Sequence, residues 1–339
     1  MTGIELLRRV GQAILVLALA YTVAFILLNA LPGDAVMARY GNPDLGLTPE
    51  QLAEIRASYG ADQPFIVRYF DSLWAFIRGD FGYSVNSGTP VAVLIADALP
   101  RTLTLAVIAI VVAIFLAVVI AFTASYGKGA WLRTIFRNLP PLFVSLPVFW
   151  IGIVFIQIFS FKLGLIPAIG AGPVQQLILP VATLAIPIAA PLAQVLLRSI
   201  DEVSDQPFVK VVRARGASTS WLLWRNVAPN ALLPALTMAG LLFGELVGGA
   251  IVTETVFGLN GIGSLTAQAV AQRDTAILLA VVVIAAVVFV TINLLVDLLY
   301  PVLDARLRRS GGSRRKASRQ ELSSRATASA IPVSTGDAQ

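Results

Sequence analysis

The sequence carries few groups able to do chemistry, and their types narrow the options quickly. It contains no histidine and no cysteine. A Ser-His-Asp triad is therefore impossible, a thiolate nucleophile or disulfide framework is absent, and a zinc site would rest on carboxylates alone. No glycine-rich phosphate cradle closed by Lys and Ser or Thr occurs; Gly127-Lys128-Gly129 lacks both the upstream glycine and the hydroxyl. Gly258, Gly261 and Gly263 are misspaced for a dinucleotide fingerprint, and a tight turn explains them better. Nucleotide hydrolysis, if it powers this protein, must come from another chain.

One carboxylate stands apart. Glu245 sits between Gly244 and Leu246 near the middle of a long apolar run. A charge at a bilayer centre costs roughly 2.5–3.5 kcal/mol on insertion scales. Two readings stay open: the carboxylate faces a translocation path and attracts a cationic or amine-bearing solute, or it is protonated or hydrogen-bonded and only fixes packing. Glu254 and Asp297 lie near the ends of apolar runs, where a structural role is expected. Gln157, Gln194 and Asn293 suit interhelical hydrogen bonds, worth about 0.6 kcal/mol each. Gly240, Gly244 and Gly248 recur every four residues, with Gly249 beside the last. This small-residue stripe allows close approach, to line either a subunit interface or a path with room for a large solute.

The elements that must position these residues follow from composition. Hydrophobic residues make up 57% of the 339 and charged residues 13%, against roughly 25% charged in a soluble protein. The chain is an integral membrane protein. About 20 apolar residues are needed to cross the hydrocarbon, and six stretches qualify: Gly11–Leu31, Leu103–Ala124, Leu139–Phe161, Leu177–Leu197, Ala231–Thr255 and Ala276–Leu299. None shows the alternation of a barrel strand, so all six are expected as helices. Arg8 and Arg9 precede the first. Lys128, Arg133 and Arg137 lie between the second and third, and Arg198, Lys210, Arg213, Arg215 and Arg225 between the fourth and fifth. A basic run from Arg306 to Arg325 follows the sixth. All of these fall on one side, which places both termini in the cytoplasm. The net charge of +6 is then a topology signature rather than a nucleic-acid footprint. The first run is too long for a signal-peptide core and reads as an uncleaved helix.

Four segments result: a cytoplasmic N-terminus with the first helix (1–31), an exterior helical segment (32–100), a five-helix core (101–308) and a disordered basic cytoplasmic tail (309–339) that anionic lipid would attract. In the exterior segment, Thr48, Pro49 and Gln51 form the N-cap, first position and closing residue of a capping box, with Leu47 and Leu52 as its staple and Gly60 near its end. A second amphipathic helix after Pro64 has Phe65, Tyr69, Phe70, Leu73, Phe76 and Ile77 along one face and stops at Gly79. That face suits packing on the bundle, the membrane interface or another subunit. Pro140, Pro141 and Pro147 interrupt the third run, and Pro180, Pro187 and Pro191 the fourth. Such breaks are tolerated where neighbouring helices or a water-filled cavity satisfy the freed carbonyls.

The connection between the fourth and fifth runs, 199–230, is too long for a turn. Phe208, Val211, Val212 and Arg215 share a helical face, Gly216 permits a sharp turn, and Trp221, Leu222 and Trp224 lead back toward the bilayer. A short helix-turn-helix joined directly to a span can transmit a partner's push into the membrane.

Here the sequence resembles a known family. Gly216 and Pro229, thirteen residues apart, match the spacing of the EAA loop in permease subunits of ATP-binding cassette importers. The resemblance is strongest to the B-type permeases of dipeptide, oligopeptide and nickel importers. It is carried also by Leu31-Pro32-Gly33-Asp34, Thr48 to Gln51, Asp62 to Pro64, Arg78 to Asp80, Glu254-Thr255-Val256-Phe257, Gly261-Ile262-Gly263 and Asp297-Leu298-Leu299-Tyr300. It runs from Met1 to about Arg308. Lys210, Val211 and Val212 replace the Glu-Ala-Ala that names the loop, so no loop glutamate can pair ions there.

The resemblance implies an all-α type I importer permease fold of six spans in a bacterial or archaeal cytoplasmic membrane. It makes the 199–230 loop the coupling element seated in a groove of an ATPase subunit, with Phe208, Val211, Val212, Arg213 and Arg215 as contact candidates and Gly216 and Pro229 framing the turn. It implies a heterodimer with a related C-type permease, two ATPase subunits holding Mg-ATP, and an exterior solute-binding protein; this chain binds no cofactor or metal and is not itself an enzyme. Glu245, Gly244 and Gly248 are the candidates for the path of a peptide-like solute or a nickel chelate. An ion-driven secondary transporter predicts coupled intramembrane carboxylates and an internal repeat, and this sequence has one central carboxylate and no clear repeat. A non-transporting scaffold leaves the patterned loop and the prolines without a purpose.

Overall fold

The computed structural model describes residues 3–30, 40–41, 47–58, 63–167, 170 and 172–303. The Leu31-Pro32-Gly33-Asp34 step, Gly60, Asp62 and the tail from residue 309 lie outside them. The regular elements described are helices: α1 (Gly3–Ala30), α2 (Pro49–Ser58), α3 (Phe65–Ile77), α4 (Val91–Tyr126), α5 (Ala130–Val144), α6 (Val148–Phe155, continued by a π-helical stretch Ile156–Lys162), α7 (Gln175–Ser204), α8 (Pro207–Ala214), α9 (Thr219–Leu222, followed by a π-turn Leu223–Val227), α10 (Ala228–Phe257), α11 (Ile262–Gln272) and α12 (Thr275–Leu303). One antiparallel bridge, Tyr83 to Pro90, closes the loop before α4. Residues 1–293 form one compact unit; the second, 294–339, is described only as far as Leu303, where α12 ends.

Four helices are long and apolar enough to cross a bilayer alone: 7–30 of α1, all of α4 and α7, and 275–295 of α12. Two further crossings exist if each of two bent pairs counts as one. The expected third span, Leu139–Phe161, is not a straight rod: α5 and α6 meet at 108° across Ser145-Leu146-Pro147. Pro147 has no N–H to donate and its ring crowds the preceding turn, so α5 closes with tightened bonds, Ser145 N–H to Leu142 at 3.2 Å and Leu146 N–H to Phe143 at 3.3 Å. By contrast Pro180, Pro187 and Pro191 remain inside one continuous 30-residue α7. The fifth span bends by 42° around Pro234. The second is longer than its apolar run, since α4 starts at Val91 and carries Pro100 within it.

The bundle is built on α4 against α7. Ala109, Ala113 and Ala117 of α4 and Ala185, Ala189 and Ala193 of α7 are all buried. Both sets repeat every four residues, so each helix presents a smooth stripe and the two backbones approach closely. Leu105, Leu184, Ile188 and Leu192 fill the space around the stripes, and Leu242, Phe243 and Leu246 of α10 close the same core.

In the segment before α4, the capping box forms as expected: Thr48 N–H donates to Gln51 Oε1 at 2.9 Å and Gln51 N–H to Thr48 Oγ1 at 3.3 Å. Gly79 ends the next helix with φ of +83°, a conformation that glycine adopts without steric cost. The apolar face of α3 divides in two. Tyr69, Leu73 and Phe76 pack against Tyr21, Ala24 and Phe25 of α1 and Leu279 of α12. Phe70 and Ile77 point outward.

Candidate functional site

The long loop folds as a compact elbow. α7 ends at Ser204, Pro207 begins α8, and Gly216 turns the chain with φ of +87°. Ser218 Oγ then accepts the Trp221 N–H at 3.3 Å and starts α9. The π-turn that follows leads into Pro229, whose nitrogen cannot continue an ordinary helical ladder.

Val209 anchors the elbow. At 1% exposure it lies among Ala121 and Ala124 of α4 and Leu196, Leu197 and Ile200 of α7, together with Leu222, Val227 and Ala231. The elbow therefore sits on the ends of the two helices that form the centre of the bundle. Phe208, Val211, Arg213 and Arg215 remain exposed, whereas Val212 leans inward and packs on the Val209 cluster. Phe208 and Val211 thus leave apolar surface open on an elbow that also exposes Arg213 and Arg215, while Val212 is partly covered. The anchoring role of Val209 was not anticipated, although its place one residue before Lys210 and three before Val212 is the helical spacing of an inward face. Trp224 stacks on Phe122 with centroids 5.5 Å apart, and with Trp221, Arg225 and Pro229 it borders a shallow groove beside the elbow.

On α10 the glycine stripe does not lie on one surface. Gly240 is buried, Gly244 lies under the Phe289 ring of α12, and Gly248 is open with no neighbour within reach of an added Cβ. A spacing of four residues overshoots a full turn by about 40°, so the stripe winds from the core to the outside. Glu245 is exposed, in a row with Leu241, Gly248, Val252 and Thr255. Among the described residues, the other helices leave that row uncovered.

At the far end of α10 lies a buried polar node. Glu254 is 1% exposed. Its carboxylate accepts the Thr102 hydroxyl at 2.6 Å and the N–H groups of Gly263 and Ser264 at 2.7 and 3.2 Å. Thr102 in turn accepts the Ile262 N–H at 2.8 Å. The node joins α4, α10 and the start of α11, and the carboxylate lies at the positive end of α11. Gly258 supplies the left-handed turn at φ +63°. A Cβ on Gly261 would fall inside the Glu254 carboxylate, and one on Gly263 would overlap the Ile251 backbone. The three glycines are the expected tight turn, and Glu254 is structural as expected.

A second buried carboxylate, Asp274, escaped sequence reasoning. It accepts the Ser84 hydroxyl at 2.6 Å and the Ile277 N–H at 3.4 Å, tying the loop before α4 to the start of α12. The signal was present: Asp before Thr275 and an apolar run is a helix start. Among the described residues no group of three or more Asp or Glu gathers to hold a metal.

The elbow thus caps one end of a helical bundle that is broken at Pro147. Residues 109–309 match the family of binding-protein-dependent transport system inner membrane components, and residues 4–106 match the N-terminal domain model of the same systems. The chain belongs to this permease family. A putative peptide transport system permease protein of Brucella abortus (strain 2308) is 35% identical over 311 residues, covering 89% of this chain and 98% of that one. The glutathione transport system permease protein GsiC of Salmonella typhimurium is 32% identical over 302 residues, covering 89% and 98%. The MetNI methionine ABC transporter, in an inward-facing conformation, shares the permease fold with a TM-score of 0.52 at 18% identity over 62% of this chain and 96% of that one. The permease is a multi-pass membrane protein of an ATP-binding cassette importer, and the hydrolysis of ATP belongs to other subunits of that system.

Proposed function

We propose that the permease forms half of a path for peptides or peptide-like solutes, with both termini in the cytoplasm of a bacterium or archaeon and each bent helix pair counted as one span, giving six. A related second permease forms the other half, a solute-binding protein delivers the cargo from outside, and two ATPase subunits drive the cycle. Relatives named for peptide and glutathione transport support this cargo class, and the loop charges on one side of all six runs support the orientation.

The observation that carries the reading is the elbow's division of labour. Val209 is sunk between the ends of α4 and α7 while Phe208 and Val211 stay uncovered beside it. A partner that grips Phe208, Val211 and Arg215 moves the two central helices through Val209, with Gly216 and Pro229 setting the elbow's angle. Because the native chain has no cysteine, Phe208→Cys can be cross-linked to a single cysteine placed in the ATPase groove. A cross-link that changes yield between the nucleotide-free and ATP-bound states is expected; its absence in both states overturns the coupling role.

For the path, Glu245 and Gly248 supply the open face of α10, and Gly244 sets how closely α12 approaches. A carboxylate on that face is costly against lipid, which favours its facing the path or the second permease. Glu245→Gln should lower uptake of cationic peptides with assembly unchanged; unaltered transport kinetics would remove Glu245 from the path.

A further inference from the structure

α3 carries three distinct faces around its 13 residues. The first, Tyr69, Leu73 and Phe76, packs on α1 and α12. The second is polar: Arg68, Asp71 and Ser72, with Asn29 and Asp80, line an open cavity of about 650 Å³ at the end of α1. The third is a row of large apolar side chains, Ile66, Val67, Phe70, Trp74 and Ile77, with exposures between 47% and 68%. At 100° per residue this row lies roughly opposite the polar edge.

The contacts with α1 fix both the depth and the inclination of this helix. Tyr69 hydroxyl meets Thr22 Oγ1 at 2.8 Å, and its ring lies 5.7 Å from that of Tyr21 and 5.3 Å from that of Phe25. Phe65 and Phe76, at the two ends of α3, reach Phe25 and Tyr21 at 5.5 and 5.3 Å. Residues some 16 Å apart along α3 thus meet rings one turn apart on α1, with Arg68 reaching Asn29 one turn further on, so α3 crosses α1 at an angle. Tyr21 and Phe25 lie nine and five residues inside the end of α1 at Ala30, which is roughly 14 and 8 Å below it.

We infer that α3 is an in-plane helix sunk into the outer leaflet, with Ile66, Val67, Phe70, Trp74 and Ile77 resting on the acyl chains of phospholipid and its polar edge hydrated through the cavity above. The inference rests on the orientation proposed for α1. Left in water, these side chains would keep roughly half of their apolar surface hydrated, which the hydrophobic effect disfavours. The occupant is lipid because α3 is held against the span α1 at the level of Tyr21 and Phe25, and α1 itself leaves Leu19, Val23, Ile26 and Leu27 exposed over that same stretch. Among its described side chains α1 buries Tyr21, Ala24 and Phe25, as a helix largely surrounded by hydrocarbon does. Arg78 lies 4.7 Å from the Trp74 ring centroid, the aromatic and basic pairing that anchors helices at a headgroup boundary.

The test uses the assembled importer, with companion cysteines replaced, in nanodiscs of phosphatidylethanolamine and phosphatidylglycerol. Nitroxide labels go on Ile66→Cys, Phe70→Cys and Ile77→Cys, on Ser72→Cys at the polar edge, and on Val23→Cys and Leu27→Cys of α1. Collision rates with oxygen and with a water-soluble nickel chelate are compared. Labels on the apolar row are expected to favour oxygen by about threefold or more over the Ser72 label, at a depth like that of Leu27. Preference for nickel along the row, or protection from both reagents as under a protein partner, overturns the inference. If the α1 labels themselves avoid oxygen, the span assignment fails instead.

Discussion

The Glu254 node permits a quantitative test. Thr102 spans it, donating to the carboxylate at 2.6 Å and accepting the Ile262 N–H at 2.8 Å. Thr102→Val removes a hydrogen bond to a charged group, about 1.5–3 kcal/mol, and strands a buried N–H at about 1–3 kcal/mol. A loss of roughly 3–5 kcal/mol is expected. Glu254→Gln keeps its oxygen on the Gly263 and Ser264 N–H pair and turns an amide donor toward Thr102, whose hydroxyl then has no carboxylate to donate to, at a similar cost. Both changes break the same Thr102–Glu254 bond, so the double variant loses it once and the two effects fall short of adding by about 1.5–3 kcal/mol, well above the 0.3–0.5 kcal/mol scatter of independent sites. Reversible unfolding in mixed micelles, followed by near-ultraviolet circular dichroism, gives the four stabilities. Thr102→Ser keeps the hydroxyl and should retain most of the stability. A double variant equal to the sum of the singles refutes the node as a coupled unit.

Three further outcomes follow from other parts of the fold. Ala113→Leu or Ala189→Leu forces a branched side chain into the α4–α7 seam and should cost about 1–3 kcal/mol in the same unfolding assay, while Val111→Leu on the exposed face of α4 stays within about 0.5 kcal/mol. Gly216→Val demands a left-handed backbone from a β-branched residue, a strain of roughly 1–2 kcal/mol; solute-stimulated ATP hydrolysis should fall in the assembled importer, with Gly216→Asn milder. Glu50's carboxyl is held below the ordinary carboxylate range by its own backbone N–H and by the Thr48 side chain. A depressed folded value means the stabilisation is complete at neutral pH and lost as pH falls through that value. Amide protection of Pro49–Ser58 should therefore hold down to mildly acidic pH and drop only in acid, and Glu50→Gln should remove that drop.

Features fixed by local chemistry were legible in the sequence. Thr48 and Gln51 specify a cap within four residues, and Gly79, Gly216 and Gly258 each mark a turn that a side chain resists. Long apolar runs report α1, α4, α7 and α12 because backbone groups in lipid have only the helix to satisfy them. Features that depend on a neighbour were not legible. The 108° bend at Pro147 and the unbroken passage of α7 through three prolines begin from similar residue patterns, and packing around each decides between them. The division of α3 into three faces depends on where α1 crosses it, which no periodicity encodes. The alanine stripes of α4 and α7 were hidden in runs apolar on every side, where small residues attract no notice until two such stripes meet. Glu254 was placed correctly as structural, but its partners Thr102 and Gly263 lie 152 residues before it and nine after it, beyond any motif.

The two ends of the bundle are held by different forces, and this bears on how a push at the elbow travels. At the Glu254 end, α4, α10 and α11 are joined by directional bonds to a buried carboxylate, and Asp274 fixes the start of α12 in the same way. Shifting any of these partners by an ångström breaks bonds to a buried carboxylate, at several kcal/mol. At the elbow end the contacts are apolar: Val209, Leu222 and Val227 against Ala121, Ala124, Leu196 and Ile200. Such surfaces can slide while staying buried, because the hydrophobic term is non-directional and follows area. The alanine seam between them makes α4 and α7 a stiff pair. On the coupling role and orientation proposed above, force applied at Phe208 would swing that pair at its elbow end about a pivot near Glu254, opening or closing the inner side of the bundle while the outer end keeps its shape.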